Sequence, residues 1–427
     1  MDRASIKARQ GVSSLTAPWA VFSLVFAALA TRREAAAQCN YEVTAIIQAP
    51  ECPFGPPPTI ATGISELGHV VGYYQQCAIG HEAFLWTPQS GLTTLDRPPD
   101  TPSAEASDLN DIGGIIGTID PPGPSGQHGF VWENGTWTML LPDNDGLFSG
   151  AYAINNLGQV VGYRDIDAFT RNAFLWDNGL FTTIPPSFGA RSLATDVNDA
   201  GDVVGWMGTS NGIDSHAFVW NDGVMMDLGL IPGSFAAQAQ AINSARAILI
   251  TASLQKDESS PVLSRSFLCQ DGNMTDLGVL AGFDRCSGFD LNDAFSVVGV
   301  CSKSSNPNFR RAFIWRDGAM MDLNNLIPAE SGLNITWVRG INNRGQITGQ
   351  AQDLTGHVVG VVLAPTGRPI GDINADGVVN VPDLIALLHC FAEAAVPGCE
   401  SEDVNADGVV NVLDLIDLLL AFGTTCP

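Results

Sequence analysis

Basic residues are scarce in this sequence, and their scarcity excludes several classes of partner. The 427 residues include 20 Lys and Arg against 45 Asp and Glu, which gives a formal net charge of −25. Such an excess of negative charge repels nucleic acid and anionic membranes, so we expect neither as a partner. The 45 Gly and 25 Pro are many for a helical protein and favour an all-β domain with many turns.

Long apolar runs are also missing, apart from one near the N-terminus. Residues 17–30 form an apolar run of about 14 residues, which is too short to span a bilayer comfortably. It follows the basic residues Arg3, Lys7 and Arg9 and precedes three alanines at 35–37. This order is typical of an export signal. We therefore predict a signal peptide over residues 1–37, a secreted or cell-surface location, and no transmembrane segment after cleavage.

Cysteine pairs with the CxxC spacing of zinc sites are absent, although nine cysteines remain after the predicted cleavage. An exported chain meets an oxidising environment in which disulfides persist. Cys39 with Cys52, and Cys390 with Cys399, are close enough in sequence to pair. Spacing alone does not fix the pairing, and an odd total leaves one thiol over.

Several catalytic motifs are missing as well. The sequence contains no HExxH, no phosphate-binding loop and no GxGxxG turn. Paired carboxylates for glycoside cleavage would have to lie about 5–10 Å apart, a distance that a sequence does not supply. Asp143, Asp145, Asp165 and Asp167 fall on long predicted loops and are candidates for binding a cation or a polar ligand. Solvated turns are the simpler interpretation of these four residues.

Lys and Arg are absent altogether from residues 371–427, a segment that carries ten carboxylates. Two twelve-residue stretches within it, 372–383 and 403–414, have oxygen side chains at positions 1, 3, 5, 9 and 12 and Gly at position 6. A hard cation such as Ca²⁺ takes six to eight oxygen ligands, and the Gly permits the sharp turn that gathers them. We therefore predict two bound Ca²⁺ ions. The predicted ligands, with the backbone carbonyl of Val at position 7, are Asp372, Asn374, Asp376, Val378, Asn380 and Asp383 in the first loop, and Asp403, Asn405, Asp407, Val409, Asn411 and Asp414 in the second.

Each loop is followed by a single predicted helix, over residues 384–395 and 415–422, and neither is preceded by one. A duplicated loop–helix unit with Asp at position 12 resembles a type I dockerin. The resemblance implies a calcium-dependent module that docks onto a cohesin-like domain or another cell-surface protein. In that family, positions 10 and 11 often carry small polar residues that contact the partner, whereas this chain has Val381-Pro382 and Val412-Leu413.

The middle of the chain is a repeat array. An apolar-Asn-x-x-Gly turn and a β-branched run recur seven times, at positions 65, 110, 155, 198, 243, 292 and 342, with a period of 43 to 50 residues. A small-Phe-aliphatic-Trp segment follows in most copies, as at 83–86 and 217–220. Each copy predicts four short strands, which is the pattern of a propeller blade. Pairing the first strand, at 41–47, with the last, at 361–363, would complete the seventh blade and remove an exposed edge.

The predicted fold is therefore mostly β. It comprises a seven-bladed β-propeller-like domain over residues 39–364, a linker at 365–370 and a small α-helical dockerin-like domain with two EF-hand-like calcium units at 371–427. A β-solenoid or a β-sandwich is the alternative for the array. The repeats resemble the extracellular HAF repeats, whose His-Ala-Phe signature stands intact at His216-Ala217-Phe218. We expect the Phe and Trp of the third strand to be core residues. The fifth copy, which lacks the turn Gly, predicts an irregular blade.

Tight turns are expected after the first and third strands, and long loops, including 251–264 and 301–311, after the second and fourth. The sequence as a whole favours a secreted, non-catalytic binding protein whose propeller recognises a glycan or protein ligand. Two alternatives stay open: a carbohydrate-active enzyme or accessory protein in polysaccharide degradation, and a structural protein of the cell envelope.

Overall fold

The computed structural model describes residues 41–366, except for 54, 78–79, 122–125, 141–146, 210–213 and 256–259, together with Leu384. The predicted signal peptide and all twelve predicted calcium ligands lie outside the described residues. The described chain is mostly β and propeller-like. Among its residues, no helix is long and apolar enough to cross a membrane.

The described residues form twenty-eight strands, which follow one another along the chain. The strands of the first three units are β2 (Thr59–Ile64), β3 (Val70–Gln75), β4 (His81–Thr87), β5 (Gly91–Thr94), β6 (Ser103–Leu109), β7 (Ile115–Asp120), β8 (His128–Glu133), β9 (Thr136–Met139), β10 (Ser149–Ile154), β11 (Val160–Asp165), β12 (Arg171–Asp177) and β13 (Leu180–Ile184). Those of the next two are β14 (Arg191–Val197), β15 (Val203–Gly208), β16 (His216–Asn221), β17 (Val224–Gly229), β18 (Ser234–Ile242), β19 (Ile248–Leu254), β20 (Leu263–Gln270) and β21 (Asn273–Asp276). The last two units comprise β22 (Arg285–Leu291), β23 (Val297–Lys303), β24 (Asn306–Arg316), β25 (Ala319–Asp322), β26 (Asn334–Ile341), β27 (Ile347–Gln352), β28 (Val358–Pro365) and the N-terminal strand β1 (Tyr41–Ile47). Two 3-10 helices, Leu323–Asn325 and Ala329–Ser331, lie between β25 and β26.

These strands form seven four-stranded antiparallel units. The third and fourth units are joined into one eight-stranded sheet by a single parallel pair, Arg171 with Arg191, and the fifth and sixth by Ser264 with Arg285. The first strand of each unit contacts the first strand of the next, and β2 contacts β26, so the units form a closed ring around an axis.

The ring closes between distant parts of the chain. Strand β1 pairs with β28 in antiparallel register, from Tyr41 opposite Pro365 to Ile47 opposite Gly360. This confirms the predicted pairing of the first and last strands, which covers the edge that β28 would otherwise expose. Strand β28 is longer than predicted and runs into the predicted linker as far as Pro365.

The turn between the first and second strands of each unit takes its form from the repeated Asn and Gly. Five turn glycines have positive φ, from 72° at Gly345 to 93° at Gly113. The fifth and sixth units have Arg246 and Phe295 there instead, at φ 62° and 60°. The fifth unit still forms four strands, so the prediction of an irregular blade was wrong: residues other than Gly adopt the left-handed conformation when the surrounding turn fixes it.

The Gly that ends the β-branched run is required by a close approach of two strands. In five units it faces the repeated Phe of the third strand, as Gly117 faces Phe130. A Cβ atom on Gly117 would lie 1.9 Å from the carbonyl oxygen of Glu105 on the innermost strand. The innermost strand has a β-bulge at this level in every unit. The recurring Gly therefore reflects the close packing of the second strand against the bulge of the innermost strand, which the sequence did not reveal.

The repeated Phe residues form the core, as predicted. Phe84, Phe130, Phe174, Phe218 and Phe313 have no accessible surface. They pack with the aliphatic residues of adjacent units, as Phe130 does with Val71 of the first unit and Ile115 of the second. The Phe residues therefore hold the ring together. Of the predicted core Trp residues, Trp220 and Trp315 are buried, whereas Trp86, Trp132 and Trp176 are only partly buried.

The Asn of each turn joins neighbouring units through its side chain. The side-chain oxygen of Asn110 accepts from the backbone N–H of Gly114 at 2.8 Å, and its amide nitrogen donates to the carbonyl of Asn155 at 3.0 Å. Equivalent donations, at 2.9–3.2 Å, run from Asn155 to Asn198, Asn198 to Asn243, Asn243 to Asn292, Asn292 to Asn342 and Asn342 to Ser65. An amide is the side chain that both accepts within its own turn and donates to the next.

One link of this Asn ring is missing. The first unit carries Ser65 in place of Asn, and the Ser65 hydroxyl accepts from the N–H of His69 at 3.3 Å. Within the described residues, no hydrogen bond joins the Ser65 side chain to Asn110. The ring therefore has six side-chain links across seven junctions.

The structure corrects two further expectations. Cys52 forms a disulfide with Cys77, which excludes the suggested pairing of Cys52 with Cys39, and Cys286 pairs with Cys301 across β22 and β23. Cys269 is free. The segment 301–311, expected to be a long loop, is a hairpin in which β23 and β24 extend to within two residues of each other. The almost continuous polar run at 302–311 has no strand-like alternation, so the pattern did not indicate this extension.

Replacing one ring Asn by Asp tests the links. Asn292→Asp keeps the shape of the side chain but removes the donor to the Asn342 carbonyl and buries a charge beside it. We expect the free energy of unfolding to fall by about 1–3 kcal/mol or more. Urea denaturation measures the change. Asn273→Asp, on an exposed strand position, is the matched control and should shift stability by less than about 0.5 kcal/mol. Equal effects of the two substitutions would show that the links are not stabilising.

Completing the ring is the converse test. Ser65→Asn supplies the missing donor next to the Asn110 carbonyl, and we expect a gain of about 0.5–1.5 kcal/mol, the net value of one hydrogen bond. The same urea titration measures it. A loss of stability would mean that the first junction does not accommodate the amide.

Candidate functional site

The candidate carboxylates on long loops are engaged in local structure where the structure describes them. Asp165 receives a hydrogen bond from the Nε of Arg171 at 2.6 Å. Asp167 accepts from the backbone N–H groups of Phe169 and Thr170, and these bonds lower its pKa. Asp167 is thus a turn residue, as in the simpler interpretation, whereas Asp165 ends β11 opposite Arg171 and is a strand residue and not the predicted loop residue. Asp143 and Asp145 lie outside the described residues.

A Gly-Thr-Ser-Asn-Gly sequence at 208–212 has the GxSxG spacing of a hydrolase nucleophile. That motif acts at a sharp turn between a strand and a helix. Here it connects two antiparallel strands of one unit, β15 and β16. The flanking strands therefore differ from the strand–helix setting, and Ser210 itself lies outside the described residues.

The seven bulges on the innermost strands place one residue per unit at the same level around the axis. We call this set the bulge ring. Its members, in order of the units, are Thr62, Ser107, Tyr152, Thr195, Gln240, Phe289 and Arg339. The residues that precede them are buried, whereas none of the seven is. The side chains therefore face the space around the axis, and bulges commonly direct side chains into functional sites.

Two members of the bulge ring are structural. The Thr62 hydroxyl donates to the carbonyl of Ala106 in the second unit at 2.9 Å, and the Thr195 hydroxyl donates to Ala239 in the fifth at 2.9 Å. Tyr152 is 42% exposed, which is high for a tyrosine on an innermost strand. The five other members thus provide a hydroxyl, a phenol, an amide, a phenyl ring and a guanidinium.

Arg339 stands against aromatic rings. Its guanidinium carbon lies 5.7 Å from the ring centre of Phe289 and 5.5 Å from that of Trp337. The two rings are stacked, with their centres 5.2 Å apart. On the far side, the guanidinium of Arg310 lies 4.8 Å from the Trp337 ring. Cation–π attraction holds such a guanidinium in place without neutralising its charge.

The electrostatic surroundings of Arg339 include two tyrosines from other units. The side chain is exposed to the axial space, yet burial by the surrounding protein lowers its pKa, and Tyr73 and Tyr152 partly offset the effect. Burial in turn raises the pKa of both tyrosines. They therefore remain neutral phenols at neutral pH and offer hydroxyl groups near a cation.

Glu105 and His81 form a neighbouring pair. His81 Nδ1 lies 2.5 Å from a Glu105 carboxylate oxygen, and the His81 ring is 5.0 Å from that of Tyr73. Glu105 is one of the two main charges that act on the Tyr73 phenol, and Arg339 is the other. Glu105 thus places a carboxylate close to the Tyr73 phenol, although no ion pair joins it to Arg339 within the described residues.

A second layer of charge follows the bulge ring by one residue. Asp108, Asp196 and Asp290 stand there in the second, fourth and sixth units, whereas the other units have Gly or Ala. Each carboxylate accepts from the backbone N–H of a residue in the next unit, namely Ile154 at 3.1 Å, Ile242 at 2.7 Å and Ile341 at 2.7 Å. Burial raises their pKa values to about 7, 8 and 6, against the opposing effect of these donors.

The tight-turn face carries further carboxylates, each with a structural bond. Glu66, Asp111, Asp199 and Asp293 accept backbone N–H groups of neighbouring units at 2.8–2.9 Å. Within the described residues, no three His, Cys, Asp or Glu side chains are placed to hold a metal ion. We assign the acidic turn face to unit-to-unit contacts.

Sequence reasoning missed the bulge ring and the buried aspartates. The bulge residues differ in every repeat, so no recurring letter marks them. The alternation of Asp with Gly or Ala one position before the apolar-Asn pair was visible in the alignment of repeats. Its meaning depends on contacts between units, which the sequence of one unit does not contain.

Neither a protein-family model nor a curated protein sequence matches this chain. It is similar to the solved acylaminoacyl peptidase of Pyrococcus horikoshii, with a TM-score of 0.41 and 14% identity over 68% of this chain and 50% of that one. It is similar to SapL1 lectin in complex with alpha methyl fucoside (TM-score 0.38, 12% identity, 64% of this chain, 97% of that one). A putative TolB from Agrobacterium tumefaciens gives 0.38 and 10% over 73% and 91%. The chain spans about half the length of the peptidases it matches, and these scores carry no conclusion about its activity.

The buried aspartates predict a pH dependence of stability. An acid whose pKa rises on folding stabilises the folded state most fully below its unfolded pKa, near 3.9, and loses that contribution as the pH rises through the folded value. For Asp196 the window therefore runs from about pH 4 to about pH 8. Asp196→Ala, which copies Ala153 and Ala241 of adjacent units, removes the acceptor of two backbone N–H groups.

We expect Asp196→Ala to lower the free energy of unfolding by about 1–3 kcal/mol at pH 5. The difference from the unaltered chain should shrink at pH 8.5, because the unaltered chain then buries a charge. Urea titrations at the two pH values measure both effects. Asp96→Ala, at an exposed position, should change little at either pH. A difference that grows with pH would contradict the raised pKa.

Proposed function

We propose that this chain is a secreted, non-catalytic binding protein. In this proposal, residues 371–427 bind two Ca²⁺ ions and dock onto a cohesin-like or other cell-surface protein. The propeller-like domain serves as the recognition domain for a glycan or protein ligand. The single observation that carries the proposal is the duplicated twelve-residue loop, whose oxygen ligands recur in the same register 31 positions apart (403 − 372).

The chemistry of the loop side chains fits Ca²⁺. Each loop offers three Asp carboxylates and two Asn side chains at the loop positions that calcium loops use, with Gly at the turn. Bound cations would also offset the ten carboxylates of a segment that has no Lys or Arg. Ca²⁺ present at 100 times its dissociation constant would add about 2.7 kcal/mol to the stability of this segment.

Export receives support from the disulfides. Cys52–Cys77 and Cys286–Cys301 are both formed in the structure. Disulfides persist in oxidising compartments such as the bacterial periplasm or the extracellular space. The predicted signal peptide would deliver the chain to such a compartment.

Recognition by the propeller is supported by the bulge ring. It gathers different polar and aromatic groups from several units at one level of the axis, on a scaffold closed by hydrogen bonds. Binding sites of proteins commonly combine aromatic surface with a few convergent polar groups.

Calcium binding is tested by calorimetry on the full chain. We expect two Ca²⁺ ions per chain, and a loss of more than about 10-fold in affinity for the double variant Asp376→Ala, Asp407→Ala, since even outer-shell substitutions cost 10–100-fold. Asp417→Ala, which removes a carboxylate of the same segment outside the loops, is the matched control and should bind as the unaltered chain does. No heat of binding with the unaltered chain would end the proposal of a calcium module.

Docking is tested on the same proteins. Immobilised type I cohesin domains should retain the full chain in Ca²⁺ and release it in chelator. The double variant should not be retained, whereas Asp417→Ala should be. Calcium binding without retention by any cohesin would point to a different cell-surface partner, in line with Val381-Pro382 and Val412-Leu413 at the contact positions.

A further inference from the structure

Arg339 is one of several arginines of the propeller-like domain for which the described residues include no ion pair. Five other arginines do form ion pairs with carboxylates: Arg97 with Glu82, Arg171 with Asp165, Arg246 with Asp202, Arg265 with Asp276 and Arg311 with Asp322. Among the described residues, no hydrogen bond or ion pair involves the Arg339 guanidinium. The chain has a net charge of −25, yet this guanidinium is held by aromatic rings and not by an ion pair with a carboxylate. It can therefore pair with an incoming anion.

The geometry leaves the binding edge of this guanidinium available. Phe289 and Trp337 contact it through their rings, and aromatic rings accept no in-plane hydrogen bond. Two of the five N–H donors of an arginine can donate in parallel to two oxygens of a carboxylate or a sulfate, which gives a planar bidentate pair. Burial strengthens such a pair because the surrounding dielectric is low.

Groups suited to a sugar ring lie beside the guanidinium or at the same level of the axis. The exposed face of Tyr152 and the stacked pair of Phe289 and Trp337 offer flat apolar surface. The side chains of Ser107 and Gln240, in the bulge ring, offer a hydroxyl and an amide. The Ser107 side chain makes no hydrogen bond within the described residues, and the Gln240 amide makes one long contact, 3.5 Å, to the Gln238 carbonyl. Sugar hydroxyls pair with such groups, and C–H faces pack on aromatic rings.

We propose that the bulge ring binds an acidic saccharide, with Arg339 holding the carboxylate or sulfate and the aromatic side chains packing against the sugar ring. This inference rests on the proposed role of the propeller as a recognition domain. One guanidinium matches one acidic group per bound sugar unit. The ligand reaches the ring from the face of the long connections, since the opposite face carries Glu66, Asp111, Asp199 and Asp293 and repels anions.

The test uses the full chain and short saccharides as probes. Trigalacturonate, its neutral galactose counterpart, a sulfated galactose trisaccharide and glutarate are titrated separately in a calorimeter, in chelator and again in Ca²⁺. We expect binding of the uronate or the sulfated sugar and at least 10-fold weaker binding of the neutral trisaccharide and of glutarate. Whether the uronate or the sulfated sugar binds more tightly identifies the acidic group.

Arg339→Met removes the charge while keeping much of the side-chain length. We expect it to weaken binding of the acidic saccharide 10–100-fold, the range for a charge-assisted hydrogen-bonded contact. Arg344→Met is the matched control, because Arg344 lies five residues further along the same unit, exposed on the tight-turn face. It removes the same charge and should leave affinity unchanged. Arg339→Lys keeps the charge without the fork and should weaken binding several-fold. If Arg339→Met does not fold, Arg339→Lys is the variant that tests the inference.

Four results would overturn the inference. The first three are equal binding of neutral and acidic sugars, equal loss of affinity in Arg339→Met and Arg344→Met, and no binding of either acidic sugar. Binding of glutarate as tightly as the sugars would also overturn it, by showing a general carboxylate site. The titrations in Ca²⁺ and in chelator separate this inference from the docking proposal. Binding of the acidic sugar in chelator supports this inference independently of the calcium module. Docking of the chain onto a cohesin without any sugar binding would overturn this inference and leave the docking proposal standing.

Discussion

The donation of one Asn amide to the carbonyl of the next Asn is the interaction on which the ring depends. It fixes the spacing between units at the end of each innermost strand and leaves every turn with its own backbone donors satisfied. Leu, Ile and Val all occur at the position before the Asn, so the apolar side chain there can vary. The amide cannot be replaced without loss of the link, because Asp lacks the donor and Ser is too short, as at Ser65.

Much of this fold was accessible to pattern analysis, and the reasons are physical. The Asn-x-x-Gly turn, the Asp-Gly or Asn-Gly hairpin and the buried Phe have the same surroundings in nearly every unit, so they leave a repeating letter. The first strand at 41–47 was identified because an incomplete last unit needs a fourth strand. What pattern analysis missed depends on contacts between units or on exceptions to a preference. Arg246 and Phe295 occupy a left-handed position that Gly normally fills, Cys52 lies near Cys77 only after folding, and the hairpin around Ser304 has no recurring counterpart. The members of the bulge ring share a position but no chemistry.

Electrostatics along the axis are asymmetric. The turn face is acidic, the next layer holds three buried carboxylates, and the bulge ring carries the guanidinium of Arg339. The carboxylates of the turn face and of the buried layer accept backbone N–H groups of neighbouring units, so they tie the units together. Arg339 makes no hydrogen bond or ion pair within the described residues, and aromatic rings lie next to it. The same small set of innermost strands therefore supplies both the bonds that close the ring and the groups that face its centre.

The pairing of β1 with β28 sets the order in which the domain can be completed. The last strand of the ring is made more than 300 residues after the first (365 − 41 = 324). Until then the first strand has no partner, and six units stand as an open arc whose two ends expose apolar edges. The contact between the two ends of the ring, β2 with β26, likewise forms only after the seventh unit has been made.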